Sequence, residues 1–169
     1  KKGVYFARKF ILAVGVFFLL LILPAVNAEA KEVSLVKGDA IRYMGYSTHY
    51  YYVDGNLAFC LEPDMKSPGN GVYSASELDP KSHLSKAMYY MYGGPGYEQY
   101  IKSSLTGGWG EDANAYCLTH CVLSYIYDGC DQNSAAFKGL NADIASAVVM
   151  YADYVKNLPD IPDAELAFS

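Results

Sequence analysis

The residue pattern predicts an α+β fold, an antiparallel sheet or partial β-barrel with a packed helical part. Three stretches carry that expectation. Residues 49–60 hold two strand-like runs, Tyr50-Tyr51-Tyr52-Val53 and Asn56-Leu57-Ala58-Phe59-Cys60, joined by Asp54-Gly55, a pair that accepts positive φ and closes a tight hairpin. Residues 115–129 read as a helix whose spacing gathers Cys117, His120, Cys121 and Ser124 on one face and Leu118, Val122 and Tyr125 on another, so most of its circumference is expected to be buried. Residues 142–157 read as a last helix, capped by Asn141, with Ile144, Val148, Tyr151 and Val155 as its core stripe.

The remaining elements follow in chain order. Lys1, Lys2, Arg8 and Lys9 precede an apolar run from Ile11 to Val26 that ends in the small residue Ala28, the layout of a secretory signal peptide over residues 1–28. The run is short for a membrane-spanning helix of about 20 residues. Residues 29–157 then form one surface domain. Within it, residues 33–46 alternate loosely, with Lys37-Gly38-Asp39 as a turn signal before a strand over Ala40–Met44. Ser67-Pro68-Gly69-Asn70-Gly71 marks a loop. Ser82–Tyr92 reads as a helix with Leu84, Met88 and Met91 on one side, stopped by Gly93-Gly94-Pro95-Gly96. Residues 98–110 suggest a short helix and a Gly-rich loop around Trp109, leading into the central helix, whose first turn bears Glu111 and Asp112 as the helix dipole prefers. Residues 158–169, with two prolines, are expected to be a final strand or the start of a linker to a C-terminal region.

The chain carries a formal charge of −5. Without residues 1–28, nine basic residues face eighteen acidic ones, a charge of −9 that argues against binding nucleic acid or an anionic membrane through net charge. Sixteen of the seventeen tyrosines lie after residue 28, where a ring with a polar tip suits both half-buried strands and binding surfaces. The four cysteines of an exported chain would ordinarily suggest two disulfides, but Cys117 and Cys121 sit one helical turn apart, which is poor geometry for a mutual bridge. Cys130 pairs with a neighbouring segment or stays free.

Phe59-Cys60-Leu61-Glu62-Pro63 is the second reactive element: a cysteine ends a strand and a proline stops regular structure after it. Taken in order, FCLEP, YYMYGGPG and LTHCVLSYIY resemble the thioester domains at the tips of Gram-positive surface adhesins, in particular the divergent versions heading clostridial repeat-containing surface-anchored proteins. The resemblance spans residues 34–156. It implies that Cys60 is the thioester cysteine, that it stays unpaired near residue 120, and that Thr119-His120-Cys121-Val122 replaces the Thr-Gln-x-Ala motif that supplies the acyl glutamine. His120 has no acyl carbon and cannot form that bond.

The resemblance therefore implies a secreted, cell-surface adhesin tip domain that binds a host or extracellular surface protein or glycan non-covalently, with downstream stalk domains beyond this chain. Glu62, Thr119 and Ser124 flank the two motif positions, and Ser124 is expected to bond back to the carbonyl of the preceding turn. Two alternatives stand beside it. A thiol enzyme, an acyl transferase or protease, would use Cys60 as nucleophile and His120 as base, with Asp112, Asn114 and Asp128 the only orienting groups at hand in sequence. A covalent adhesin would need its glutamine relocated to Gln99 or Gln132. A zinc site from Cys60, Cys117, His120 and Cys121 is disfavoured because ligands within one helical turn converge poorly, so no metal and no cofactor is expected. His49 and His83 read as ordinary hairpin and helix-surface residues.

Overall fold

A computed structural model describes residues 12–14, 31–43, 45–76, 78–105, 107–129 and 138–162. Five antiparallel strands, β1 (Leu12–Val14), β2 (Lys31–Tyr43), β3 (Tyr46–Val53), β4 (Asn56–Cys60) and β5 (Gly71–Ala75), lie in the order β1-β4-β3-β2-β5. Among the described residues there are four helices, α1 (His83–Tyr90), α2 (Tyr97–Tyr100), α3 (Asp112–Asp128) and α4 (Ala142–Lys156), with single 3₁₀ turns at Lys102–Ser104 and Gly107–Gly110; α3 lies on the sheet, and α1 and α4 pack against α3. The architecture is α+β, as the pattern predicts.

The Asp54-Gly55 hairpin forms as expected, with φ of 49° and 82° at the two turn residues and Val53 paired to Asn56 across it. The Lys37-Gly38-Asp39 turn does not. β2 runs straight through it as one long strand, and the register against β3 slips between Lys37 and Ala40, a β-bulge. Gly38 lets Tyr52 close over the bulge: a Cβ there would stand 3.1 Å from the Tyr52 ring. β5, which the sequence pattern had left inside or beside a loop, pairs along the other side of β2 from Leu35↔Gly71 to Lys31↔Ala75.

Most of the apolar run expected to be a leader lies outside the described residues. Its Leu12–Val14 piece forms β1 and pairs with the last three residues of β4, Leu12 opposite Cys60. Among the described residues no helix is long and apolar enough to cross a membrane. Residues 158–162 form no strand; Ile161 is buried and the Pro159 carbonyl accepts a hydrogen bond from Tyr90 Oη at 2.9 Å.

Side chains alternate across β4, so that Phe59 enters the main core between sheet and helices, whereas Ala58 and Cys60 pack with a smaller cluster of Val33, Leu35, Tyr51 and Val53. The main core is built on α3, where all ten residues from Ala115 to Ser124 are buried. The α4 stripe Ile144, Val148, Tyr151 and Val155 packs into the same core, and Asn141 caps that helix by accepting the Asp143 N–H at 2.7 Å. Leu84, Met88 and Met91 add the α1 side, and His83 Nε2 ties α1 to α4 through the Ala152 carbonyl at 2.8 Å.

Candidate functional site

The end of β4, the start of β3 and the middle of α3 enclose a cavity of about 290 Å³ lined by both Cys60 and His120. Tyr46, Thr48 and Tyr51 of β3 and Ser67, in the loop after β4, also line it. Gly45 and Gly139 meet at its rim. A Cβ on Gly45 would stand 1.9 Å from the Gly139 carbonyl oxygen, and Gly45 has a φ of +87°, so this close approach needs glycine.

α3 drives His120 into the wall, where it is 1 % exposed and its Nδ1 lies 3.1 Å from Thr48 Oγ1. Burial pulls the imidazole down to about 4, opposed by a hydrogen bond to the Cys60 main chain. With its proton on Nε2 the ring would accept from Thr48 Oγ1 at Nδ1; with the proton on Nδ1 it would donate to Thr48. Rings surround the imidazole edge-on, with Tyr46, Phe59 and Tyr116 at centroid distances of 5.6, 6.2 and 5.9 Å.

Cys60 is partly buried and unpaired, and its thiol points to the Glu62 carbonyl at 3.8 Å, a weak donor contact. Burial pushes its pKa up, the Glu62 main-chain contact pulls it down, and the Glu62 carboxylate adds to the rise. The sulfur and the imidazole therefore share a cavity without sharing a proton. Among the described residues the ring's partners are Thr48 and the Cys60 main chain, and the thiol's is Glu62. The strand period explains this: the Cys60 side chain leaves β4 on the face of the smaller cluster, while its carbonyl faces α3.

The flanking residues have separate jobs. Ser124 Oγ donates to the Cys60 carbonyl at 3.2 Å instead of bonding back along its own helix, and so ties α3 to the end of β4. Thr119 Oγ1 accepts the Tyr92 N–H at 3.1 Å and so holds the turn after α1, away from the cavity wall. Cys117 and Cys121 are buried inside the main core, and burial raises Cys117 to about 11. Among the described residues no three His, Cys, Asp or Glu side chains converge to hold a metal ion. Gln99 is exposed on α2 and is not in the cavity lining. Cys130 and Gln132 lie outside the described residues.

Three contributors were not singled out from the sequence. Thr48 takes the orienting place for which Asp112, Asn114 and Asp128 were the sequence candidates. His49, an ordinary hairpin residue by pattern, lines the cavity, and burial and then Lys37 lower its pKa. Tyr116 is fully buried, with its hydroxyl 2.8 Å from the Ala58 carbonyl and 3.0 Å from the His49 carbonyl while it accepts the Tyr51 N–H at 3.3 Å. Its ring stacks on Phe59 at 4.7 Å. A helix-borne hydroxyl thus fixes both strands that deliver the cavity. The signal for Thr48 was its place on the β3 face that carries Tyr46; Tyr116 and His49 left none.

A family model described as a thioester domain matches residues 32–162. No curated protein and no solved structure matches the chain.

Proposed function

Because the chain belongs to the thioester-domain family, we propose that it is the ligand-binding domain of an exported, cell-surface adhesin in which the internal Cys–Gln bond does not form. The cavity beside Cys60 then holds part of a host or extracellular surface protein or glycan by non-covalent contacts. The observation that carries this is His120. It occupies the motif position expected to supply the acyl group, has no acyl carbon, and is committed on both sides to Thr48 and the Cys60 main chain. The lining residues Tyr46, Thr48, Tyr51 and Ser67 carry hydroxyls rather than formal charges. An N-terminal export signal over residues 1–28 and further domains after residue 157 belong to the same proposal.

The thiol-enzyme alternative has no comparable support. Burial holds the Cys60 thiol above the ordinary cysteine range and pulls the His120 imidazole down to about 4, so both shifts oppose proton transfer from thiol to ring, and no hydrogen bond links the two groups. Intact mass of the purified domain before and after methylamine tests the proposal. The full calculated mass with no adduct is expected. A mass short by one ammonia, with methylamine added on incubation, would overturn it in favour of a covalent adhesin whose acyl group comes from Gln99 or Gln132.

A further inference from the structure

β4 lacks the features that guard an exposed sheet edge. Asn56–Cys60 carries no charged residue and no proline, and its register against β3 runs without a bulge. Ala58 is fully buried and Phe59 is 2 % exposed. The Ala58 carbonyl is taken on the β3 side by Tyr116 Oη, which also meets the Tyr51 N–H and the His49 carbonyl of that strand. Main-chain groups alternate along a strand, so those of Phe59 face the opposite way, towards the edge distant from β3. A buried N–H and C=O at that edge need a partner.

Leu12–Val14 supplies it. β1 runs antiparallel along β4, with Leu12 opposite Cys60, Ala13 opposite Phe59 and Val14 opposite Ala58. The seated segment shows what this edge accepts: extended residues without charge, ending at the position opposite Cys60, which itself lines the cavity. These residues also fall in the apolar run that export would remove with residues 1–28. Residues 29 and 30, left before β2, cannot replace them. β3 and β4 lie between β2 and the β1 position, a gap of about 14 Å at the usual strand spacing, whereas two extended residues reach roughly 7 Å. The exported chain keeps the acceptor and loses its occupant.

We propose that the outer edge of β4 is a strand-acceptor site, filled by Leu12–Val14 in the leader-bearing chain and, after export, by an extended segment of a partner polypeptide that is uncharged where it pairs. The inference rests on the exported-adhesin reading and narrows its ligand from protein or glycan to polypeptide. A glycan has no row of amide N–H and C=O groups with which to continue a sheet. Main-chain pairing at Phe59 gives affinity that does not depend on the partner's side chains, and the same register sets one partner residue opposite Cys60, beside the cavity, where selectivity enters.

Hydrogen exchange at the Phe59 amide, read by NMR on the isotopically labelled full chain, tests this. Ala13→Pro removes the N–H opposite Phe59 and blocks strand pairing. Exchange at Phe59 should then rise roughly tenfold or more while the amides of α3 keep their rates. Acetyl-Ile-Leu-Ala-Val-Gly-amide, a copy of residues 11–15, should restore protection saturably in that variant. The same peptide N-methylated at its alanine should not, and nor should galactose. Leu12→Gly combined with Val14→Gly weakens the pairing without proline, should behave alike, and takes over if Ala13→Pro does not fold. Unchanged Phe59 exchange in the variants, no restoration by the peptide, or equal restoration by the N-methylated peptide would overturn the proposal, and protection by galactose would turn the edge into a sugar site. The methylamine mass measurement reads the adhesin proposal separately: an adduct there leaves a positive peptide result standing, and a failed peptide result leaves the mass unaffected.

Discussion

His120 Nδ1 and Thr48 Oγ1 meet at 3.1 Å and join the central helix to the third strand at a point where neither side chain is more than 8 % exposed. The contact fixes a neutral imidazole inside the fold, and that has a pH signature. An unfolded imidazole gains its proton near 6.5, whereas this one does so near 4. Above 6.5 the ring is neutral in both states and its contribution is fully present. As pH falls from 6.5 towards 4 the unfolded chain binds the proton first, and stability is lost by up to roughly 3 kcal/mol. Urea midpoints should fall across that window, and His120→Leu should flatten most of the fall. A variant with the full wild-type slope would show that other groups cause it.

Cys60 should behave as a shielded thiol. Its pKa is raised by burial, so alkylation by iodoacetamide should follow a midpoint above the ordinary cysteine range and be negligible at mildly acid pH. The rate of mass gain at a series of pH values measures this. A plateau of labelling near pH 6 would mean an activated thiolate and would revive the enzyme alternative.

His120→Gln returns an acyl carbon to the motif position. We expect the Cys60 sulfur to take the glutamine side-chain carbonyl, with ammonia leaving and carrying the thiol proton, and methylamine then to open the bond. Intact mass reads both steps. A full mass in a folded variant would mean that the sulfur, turned towards the smaller cluster, does not reach the helix.

Tyr116→Phe keeps the ring that stacks on Phe59 and removes only the hydroxyl shared by Tyr51, Ala58 and His49. Because buried main-chain groups of β3 and β4 then lose their partner, a loss of about 1–3 kcal/mol is expected in urea unfolding. A change within error would mean that the strands hold their register without the helix.

The sequence displayed those features whose cause is local. Asp54-Gly55 closes a hairpin from its own backbone preferences, and the stripe of α4 needs only its own period. Lys37-Gly38-Asp39 was ambiguous because the same residues serve a turn or a bulge, and the deciding contact is the Tyr52 ring, from another strand, over Gly38. β5 is an outer strand whose inward face is only Tyr73 and Ala75, half-buried against the smaller cluster, too short an alternation to stand out beside the Gly- and Pro-rich loop before it. At the cavity, Cys60 and His120 stood out by residue type and motif. Thr48 and Tyr116 did not, since their roles exist only once residues 72 and 58–67 positions apart are brought together.

β1 ends the strand order beside the strand that carries Cys60. Among the described residues, Leu12, Ala13 and Val14 pair with the Ala58–Cys60 main chain at that end of the sheet. A chain trimmed of them presents a ledge of unsatisfied amides and carbonyls that ends at the cysteine, and an extended segment from a neighbouring molecule can continue the sheet there. Self-association by strand addition and access to the thiol would then compete for the same ledge, so apparent reactivity at Cys60 becomes a function of protein concentration.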